Sequence, residues 1–138
     1  GEKYLDKYFS TIKENLKPGG IGAIQSIIIK DELFERYRKN EDFIQKYIFP
    51  GGFLPSLHSI KDHCKKSGLE LTGCNSYGSH YSNTLKEWRG NFAESWNDIS
   101  KQGFDLSFKK IWNFYFSYCE AGFKSKNIDL IQFSLSNK

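Results

Sequence analysis

The 138-residue sequence predicts an α/β domain built in three layers, and three observations carry that prediction. A nearly continuous apolar run, "IGAIQSIII" from Ile21 to Ile29, reads as a strand covered on both faces, the usual state in a parallel sheet. A second stretch, "DLIQFSLS" from Asp129 to Ser136, alternates apolar with polar residues at the strand period of two. Around these runs, apolar residues recur at helical spacing. The resulting order of helix, strand, helix, helix, strand, helix, helix, strand is that of helices layered on a sheet.

The first helix is carried by Tyr4, Leu5, Tyr8, Phe9, Ile12 and Leu16, which share one side. It stops at Lys17-Pro18-Gly19-Gly20, where proline and glycine cannot continue it. After the strand at 21–29, Asp31 is expected to cap a helix through Arg38, with Leu33, Phe34 and Tyr37 on one side. Pro55 suits the first turn of a further helix running to Lys66 and closed by Gly68. Residues 69–76 alternate weakly and read as a second strand. Two long helices follow, one bearing Leu85, Trp88, Phe92 and Trp96, the other Phe104, Phe108, Ile111, Trp112, Tyr115, Phe116 and Cys119. The third strand is the alternating run at 129–136. Three strands are few for a doubly wound sheet, and none is followed by a glycine-rich nucleotide turn. Gly19, Gly20 and Gly22 precede their strand and read as a plain turn.

Composition narrows the function. Hydrophobic content of 38%, with 17% aromatic, argues for a packed globule that buries roughly 65–70% of its unfolded surface. No apolar run reaches the roughly 20 residues that cross a bilayer. Cys64, Cys74 and Cys119 are odd in number and lack metal-ligand spacing, which favours reduced thiols in a cytoplasmic compartment and no metal site. His58 and His63, five residues apart, share a helix face poorly and read as solvated. The net charge of +4 suits an anionic surface but is too small, without a basic-aromatic array, to imply nucleic acid. Gly1 opens without methionine and the helical pattern begins at once, so the chain reads as a cut through a longer protein or a processed start.

One segment is unlike an ordinary loop. In "DFIQKYIFPGGFLPS", Asp42 to Ser56, six large apolar residues crowd a Pro-Gly-Gly turn. Together with "GEKYLDKYF", "LKPGG", "YGSHYSNTLKEW" and "FYFSYCEAGFKSKNIDLIQFSLSNK", it resembles the S-adenosylmethionine-dependent cyclopropane-fatty-acyl-phospholipid synthases and their mycolic-acid-modifying relatives. The matching stretches keep that family's order and cover nearly the whole chain.

The resemblance implies the C-terminal part of a single Rossmann-like methyltransferase domain, residues 1–138 holding the last three strands plus helical insertions. The runs at 21–29, 69–76 and 129–136 would be its fifth, sixth and seventh strands, the seventh antiparallel. Most of the S-adenosylmethionine site would lie ahead of Gly1, so no cofactor-binding residue is assigned here. The implied reaction transfers a methyl group to a cis double bond of a phospholipid acyl chain, and the segment alone would be inactive. Competing readings are a non-catalytic lipid-binding or self-associating module, and a related methyltransferase giving methyl- or methylene-branched products.

The resemblance also implies a bound bicarbonate that takes up the proton released. The tyrosine that holds it matches Tyr81 in "SHYSNTL". The histidine that holds it falls at Gln25, a departure: glutamine holds an anion but carries no proton. The family's glutamate and cysteine of this set fall ahead of Gly1. His80, beside Tyr81, gains no role from its neighbour. In the greasy turn, Phe49, Gly51, Gly52, Phe53 and Leu54 are expected to border an acyl-chain channel. Lys109, Lys110, Lys124 and Lys126 would face anionic headgroups, making the protein peripheral to the inner face of the membrane. Removing the first four strands would uncover a sheet flank, so self-association or pairing with the N-terminal part is expected.

Overall fold

The computed structural model describes residues 1–138. After a 3-10 turn at Glu2–Tyr4, α1 (Leu5–Asn15) leads through the Pro18-Gly19 turn into β1 (Ile21–Ile29). Helices α2 (Asp31–Lys39), α3 (Phe43–Tyr47) and α4 (Leu57–Lys66) precede β2 (Leu69–Ser76). Then come α5 (Gly78–Glu94), α6 (Trp96–Lys101), α7 (Leu106–Lys124) and β3 (Ile128–Asn137).

The sheet order is β1-β3-β2, with β3 antiparallel to both neighbours. β1 and β2 therefore run the same way and β3 is inserted between them against their direction. A bulge between Leu71 and Gly73 shifts the β2 register. The three layers are as expected. On one face of the sheet α1 and α4 bring Phe9, Ile60 and Cys64 against Ile28, Leu69, Ile131, Phe133 and Leu135. On the other, α5 and α7 bring Leu85, Phe116, Cys119 and Phe123 against Leu130, with Ile27 packed alongside.

Four expectations need correcting. β1 is not covered along its length: Ile28 and Ile29 are buried, whereas Ile21 is 71% exposed. It pairs with β3 on one edge only, and its other edge meets just a short parallel bridge from Ile29 to Ser56. Asp31 does not cap its own helix, whose N-cap is Lys30. Its carboxylate instead accepts from the His58 N–H at 3.1 Å, satisfying a free donor in the first turn of α4. Ser56, not Pro55, opens α4: its hydroxyl accepts from Ser59 N–H at 3.2 Å. The first of the two long helices breaks at Ser95 into α5 and α6.

The third helix was not foreseen. Asp42 accepts from the Gln45 N–H at 2.9 Å and the Gln45 side chain accepts from the Asp42 N–H at 2.9 Å. This reciprocal capping box starts a helix of five residues, too short for apolar periodicity to reveal.

Candidate functional site

An apolar cavity of about 250 Å³ lies between the α5/α7 layer and the segment from α2 to Leu54. That volume is just under the roughly 300–1,000 Å³ usual for small-molecule sites. Phe49, Phe53 and Leu54 line one side, Tyr81 and Leu85 another, and Tyr115, Cys119 and Phe123 a third. Ile27 of β1 and Ile128 of β3 contribute from the sheet.

Local chemistry sets each wall. The turn after α3 is closed by the Gly52 N–H donating to the Phe49 carbonyl at 2.9 Å, and by the Gln45 amide donating to the Gly52 carbonyl at 3.0 Å. A Cβ on Gly52 would lie 2.9 Å from the Phe49 carbonyl oxygen, so only glycine fits. Phe53 is held edge-on by Phe34 at 5.9 Å and against Tyr37 at 5.8 Å. The Tyr37 hydroxyl accepts from the Leu54 N–H at 3.1 Å, tying α2 to the turn.

Tyr81 is placed by the start of α5. There Asp129 of β3 accepts from the Gly78 N–H at 2.9 Å and the Ser76 hydroxyl at 2.6 Å. One helical turn on, the Tyr81 ring packs edge-on against Phe123 at 5.1 Å and Trp88 at 5.8 Å. Burial raises its phenol above the ordinary value, with a smaller push from Cys119, so the hydroxyl stays protonated and able to donate near neutral pH. Burial pushes Tyr115 up to about 12 and the Cys119 thiol up to about 11. Neither is primed as a base or nucleophile.

Of the residues singled out from sequence, Tyr81, Phe49, Gly52, Phe53 and Leu54 share this cavity. Gly51 does not: it sits on the outer side of the turn near Arg38, Lys39 and Asn40, at φ 79°. Gln25 is exposed and outside the wall, its carbonyl accepting from Gln132 across the sheet at 2.9 Å. It faces the same side of β1 as Ile27, one pleat or about 6.6 Å along the strand. Gln25, Gln132 and Asn75 are in register, forming an amide row beside the cavity. His80 is exposed and lies edge-on to Tyr77 at 6.2 Å, also outside the wall. Sequence reading missed Tyr37, Ile44, Tyr115 and Cys119 as wall residues. The spacing of Tyr115, Cys119 and Phe123 at successive i+4 positions was the available signal, but a buried helix stripe looks the same.

A β1-β3-β2 sheet with its last strand antiparallel in the middle and helices on both faces is the C-terminal half of the S-adenosylmethionine-dependent methyltransferase fold. The chain belongs to the mycolic acid cyclopropane synthetase family, whose model matches residues 1–133. The tuberculostearic acid methyltransferase UfaA1 of Mycobacterium tuberculosis is 37% identical over 136 residues, 98% of this chain and 32% of that protein. The cyclopropane-fatty-acyl-phospholipid synthase of Escherichia coli K12 is 32% identical over 133 residues, 96% of this chain and 33% of that protein. Mycolic acid cyclopropane synthase CmaA1, crystallised with SAH and CTAB, superposes with a TM-score of 0.85 at 26% identity, covering 99% of this chain and 50% of that one. The chain thus spans about a third of the curated relatives it matches and half of that solved structure.

Proposed function

We propose that these residues form the acyl-chain-binding part of a methyltransferase that modifies a cis double bond in a phospholipid tail. The observation that carries this reading is the meeting of Tyr81 with Phe49, Gly52, Phe53 and Leu54 in one apolar cavity. An alkene is a weak nucleophile, so holding it against the methyl donor is the main task, and positioning supplies several kcal/mol of the barrier. Each tail methylene withdrawn from water contributes about 0.8 kcal/mol. Positive charge develops on the tail as the methyl group arrives. Phe49, Phe53, Tyr81, Tyr115 and Phe123 line the cavity, and a ring that turns its face to the cation contributes about 0.5–2 kcal/mol by cation–π attraction.

Gly19 and Gly20 turn the chain ahead of β1, and the Gly20 N–H bonds back to the Lys17 carbonyl. That glycine pair is therefore occupied in a turn rather than offered to the methyl donor. A small anion such as bicarbonate would find one donor in the cavity, the protonated Tyr81 hydroxyl, whereas Gln25 lies outside the wall with its carbonyl engaged by Gln132. Such an anion, when bound, would accept the proton that the alkylated tail releases. Tyr81 then holds it by a hydrogen bond without changing its own charge, and the aromatic walls keep water from the cation.

Gln25 and the 37% identity to a tuberculostearic acid methyltransferase favour a second product class. A cyclopropane or a methylene branch results according to which bond the released C–H electron pair forms. Proton NMR of the extracted lipid distinguishes the ring methylene from the exocyclic one.

The test supplies the protein with labelled S-adenosylmethionine and phospholipid dispersed in detergent. Label entering mono-unsaturated but not saturated chains is the expected result, and Ile44→Phe, which narrows the cavity, should lower turnover with donor affinity unchanged. Equal labelling of saturated chains would remove the proposal. Calorimetry on residues 1–138 alone should detect no S-adenosylmethionine binding. Sedimentation of the same segment should show association through the open edge of β1.

A further inference from the structure

Helix α5 has no cap of its own: Tyr77 stands at its N-cap position and makes no side-chain bond there. The missing acceptor comes from β3, 51 residues along the chain, where the Asp129 carboxylate takes the Gly78 N–H at 2.9 Å. Its other oxygen accepts from the Ser76 hydroxyl at 2.6 Å. One side chain thus holds the last residue of β2 and the first of α5. A backbone bond, from the Tyr77 N–H to the Leu130 carbonyl at 2.7 Å, ties the same corner to β3. One bond leaves a helix free to swing about it. The second tie, from Asp129, fixes the angle at which α5 leaves the sheet.

The fit at this corner is close on one side and loose on another. A Cβ on Gly78 would run into the Asp129 carboxylate and lie 3.2 Å from the Phe123 ring, so no side chain is accepted there. Yet Gly78, Ser79 and Ser82 also border a polar hollow of about 490 Å³ that Lys124 and Lys126 line as well. Tyr81, on another side of the same turn, borders the apolar cavity. Phe123 and Ile128 line both spaces. The first turn of α5 is therefore a partition between two hollows, and packing supports only part of its surface. Its hydrogen bonds must do the rest.

We infer that Asp129, acting through Gly78, is a positioning residue for Tyr81: a latch from β3 that aims the phenol while standing outside the cavity wall itself. This rests on the reading of Tyr81 as the hydrogen-bond donor of the reaction. Tyr81 lies three residues beyond Gly78, so the angle of α5 sets where its hydroxyl enters the cavity. A group displaced by about an ångström can cost on the order of 10²-fold in rate. A cap that would otherwise concern stability alone thereby reaches the chemistry.

A double-mutant cycle on the protein tests the inference, read by turnover of detergent-dispersed mono-unsaturated phospholipid and by the urea midpoint. Asp129→Ala removes both bonds, whereas Gly78→Ala removes none and pushes the corner apart. Each should lower kcat about 10–100-fold with the lipid KM within about twofold. In the Tyr81→Phe background the same changes should lower kcat by less than about twofold, because the group they aim is gone. Their effect on the urea midpoint should be alike in both backgrounds. Asp129→Asn still accepts from Gly78 and can donate to Ser76, so it should hold kcat within about threefold of the parent. Ser76→Ala should lower kcat about threefold and serves even if Asp129→Ala fails to fold. Fluorotyrosine in place of Tyr81 reports placement without turnover: its fluorine resonance should move in Asp129→Ala and Gly78→Ala and stay in Asp129→Asn. Losses of kcat that persist in the Tyr81→Phe background, or a resonance that none of these changes moves, overturn the inference. Full turnover by Tyr81→Phe, with the resonance still moved by Gly78→Ala, sinks the catalytic reading of Tyr81 and leaves the positioning standing.

Discussion

The sheet's two faces begin from similar residues and end differently. Towards α1 and α4, Phe9, Ile60, Cys64 and Leu135 are each at most 2% exposed, and the hollows beside them are clefts open to solvent rather than enclosed cavities. Towards α5 and α7 the core is smaller, and between it and the α3 turn the chain leaves about 250 Å³ open. The first face is held mainly by aliphatic side chains, with Phe9 and Phe133 packed among them. On the second, aromatic rings meet edge-on, as with Tyr81 on Phe123 and Phe49 on Tyr115, and rings wedged this way keep space between them. The contrast is between a face that fixes the sheet and a face that keeps room for a guest.

The sharpest way to break that contrast is Leu135→Ala, at a side chain with no exposure. Its loss should cost about 4–5 kcal/mol in urea unfolding, the upper end for a leucine deletion. A cost near that of an exposed residue would show that the α1/α4 face is not closed. Tyr81→Phe comes next: removing one positioned donor should lower turnover about 10²–10³-fold, or about 2.7–4 kcal/mol, with unfolding midpoint nearly unchanged. Equal loss of stability would make Tyr81 a packing residue. Leu85→Ala, whose side chain already borders open space and so forfeits fewer contacts, should cost only about 2 kcal/mol. A cost matching Leu135→Ala would mean the cavity is not open.

Alkaline pH probes both faces at once, because Cys64 and Cys119 lie one on each. Burial raises both thiols to about 11 from an ordinary 9.0. The unfolded chain ionises its thiols near 9.0 while the folded chain holds the proton to about 11. Stability is therefore intact below that lower value and falls as pH rises towards the upper one. A flat urea midpoint across that window would contradict the burial of these thiols. The smallest effect belongs to Gln25→Ala: its amide bond to Gln132 is exposed, so stability should move by no more than about 0.5 kcal/mol.

Much of the fold was legible because periodicity reports burial. The strands at 21–29, 69–76 and 129–136 are in place within a residue or two, since runs of Ile and alternating Phe133, Leu135 and Ile131 have few other stable homes. Helix starts were read less well. Asp31 looked like a cap because Asp is a good one, but which N–H groups it reaches depends on α4, brought alongside from 27 residues away. The greasy turn declared that something apolar faced it. That Tyr115 and Cys119 face it too was hidden, since a cavity-lining stripe and a core stripe on α7 share one spacing.

By itself the sequence determined that an α/β sheet would form here and that Pro50-Gly51-Gly52 would turn sharply amid aromatic residues, because propensity and periodicity act over a few neighbouring positions. Only the tertiary structure decided that Gly51 turns outward while Gly52 and Tyr81 line one cavity, and that Gln25 stands outside it one pleat along β1 from Ile27. Those relations join residues dozens of positions apart, and they are fixed by how whole helices pack rather than by any local rule.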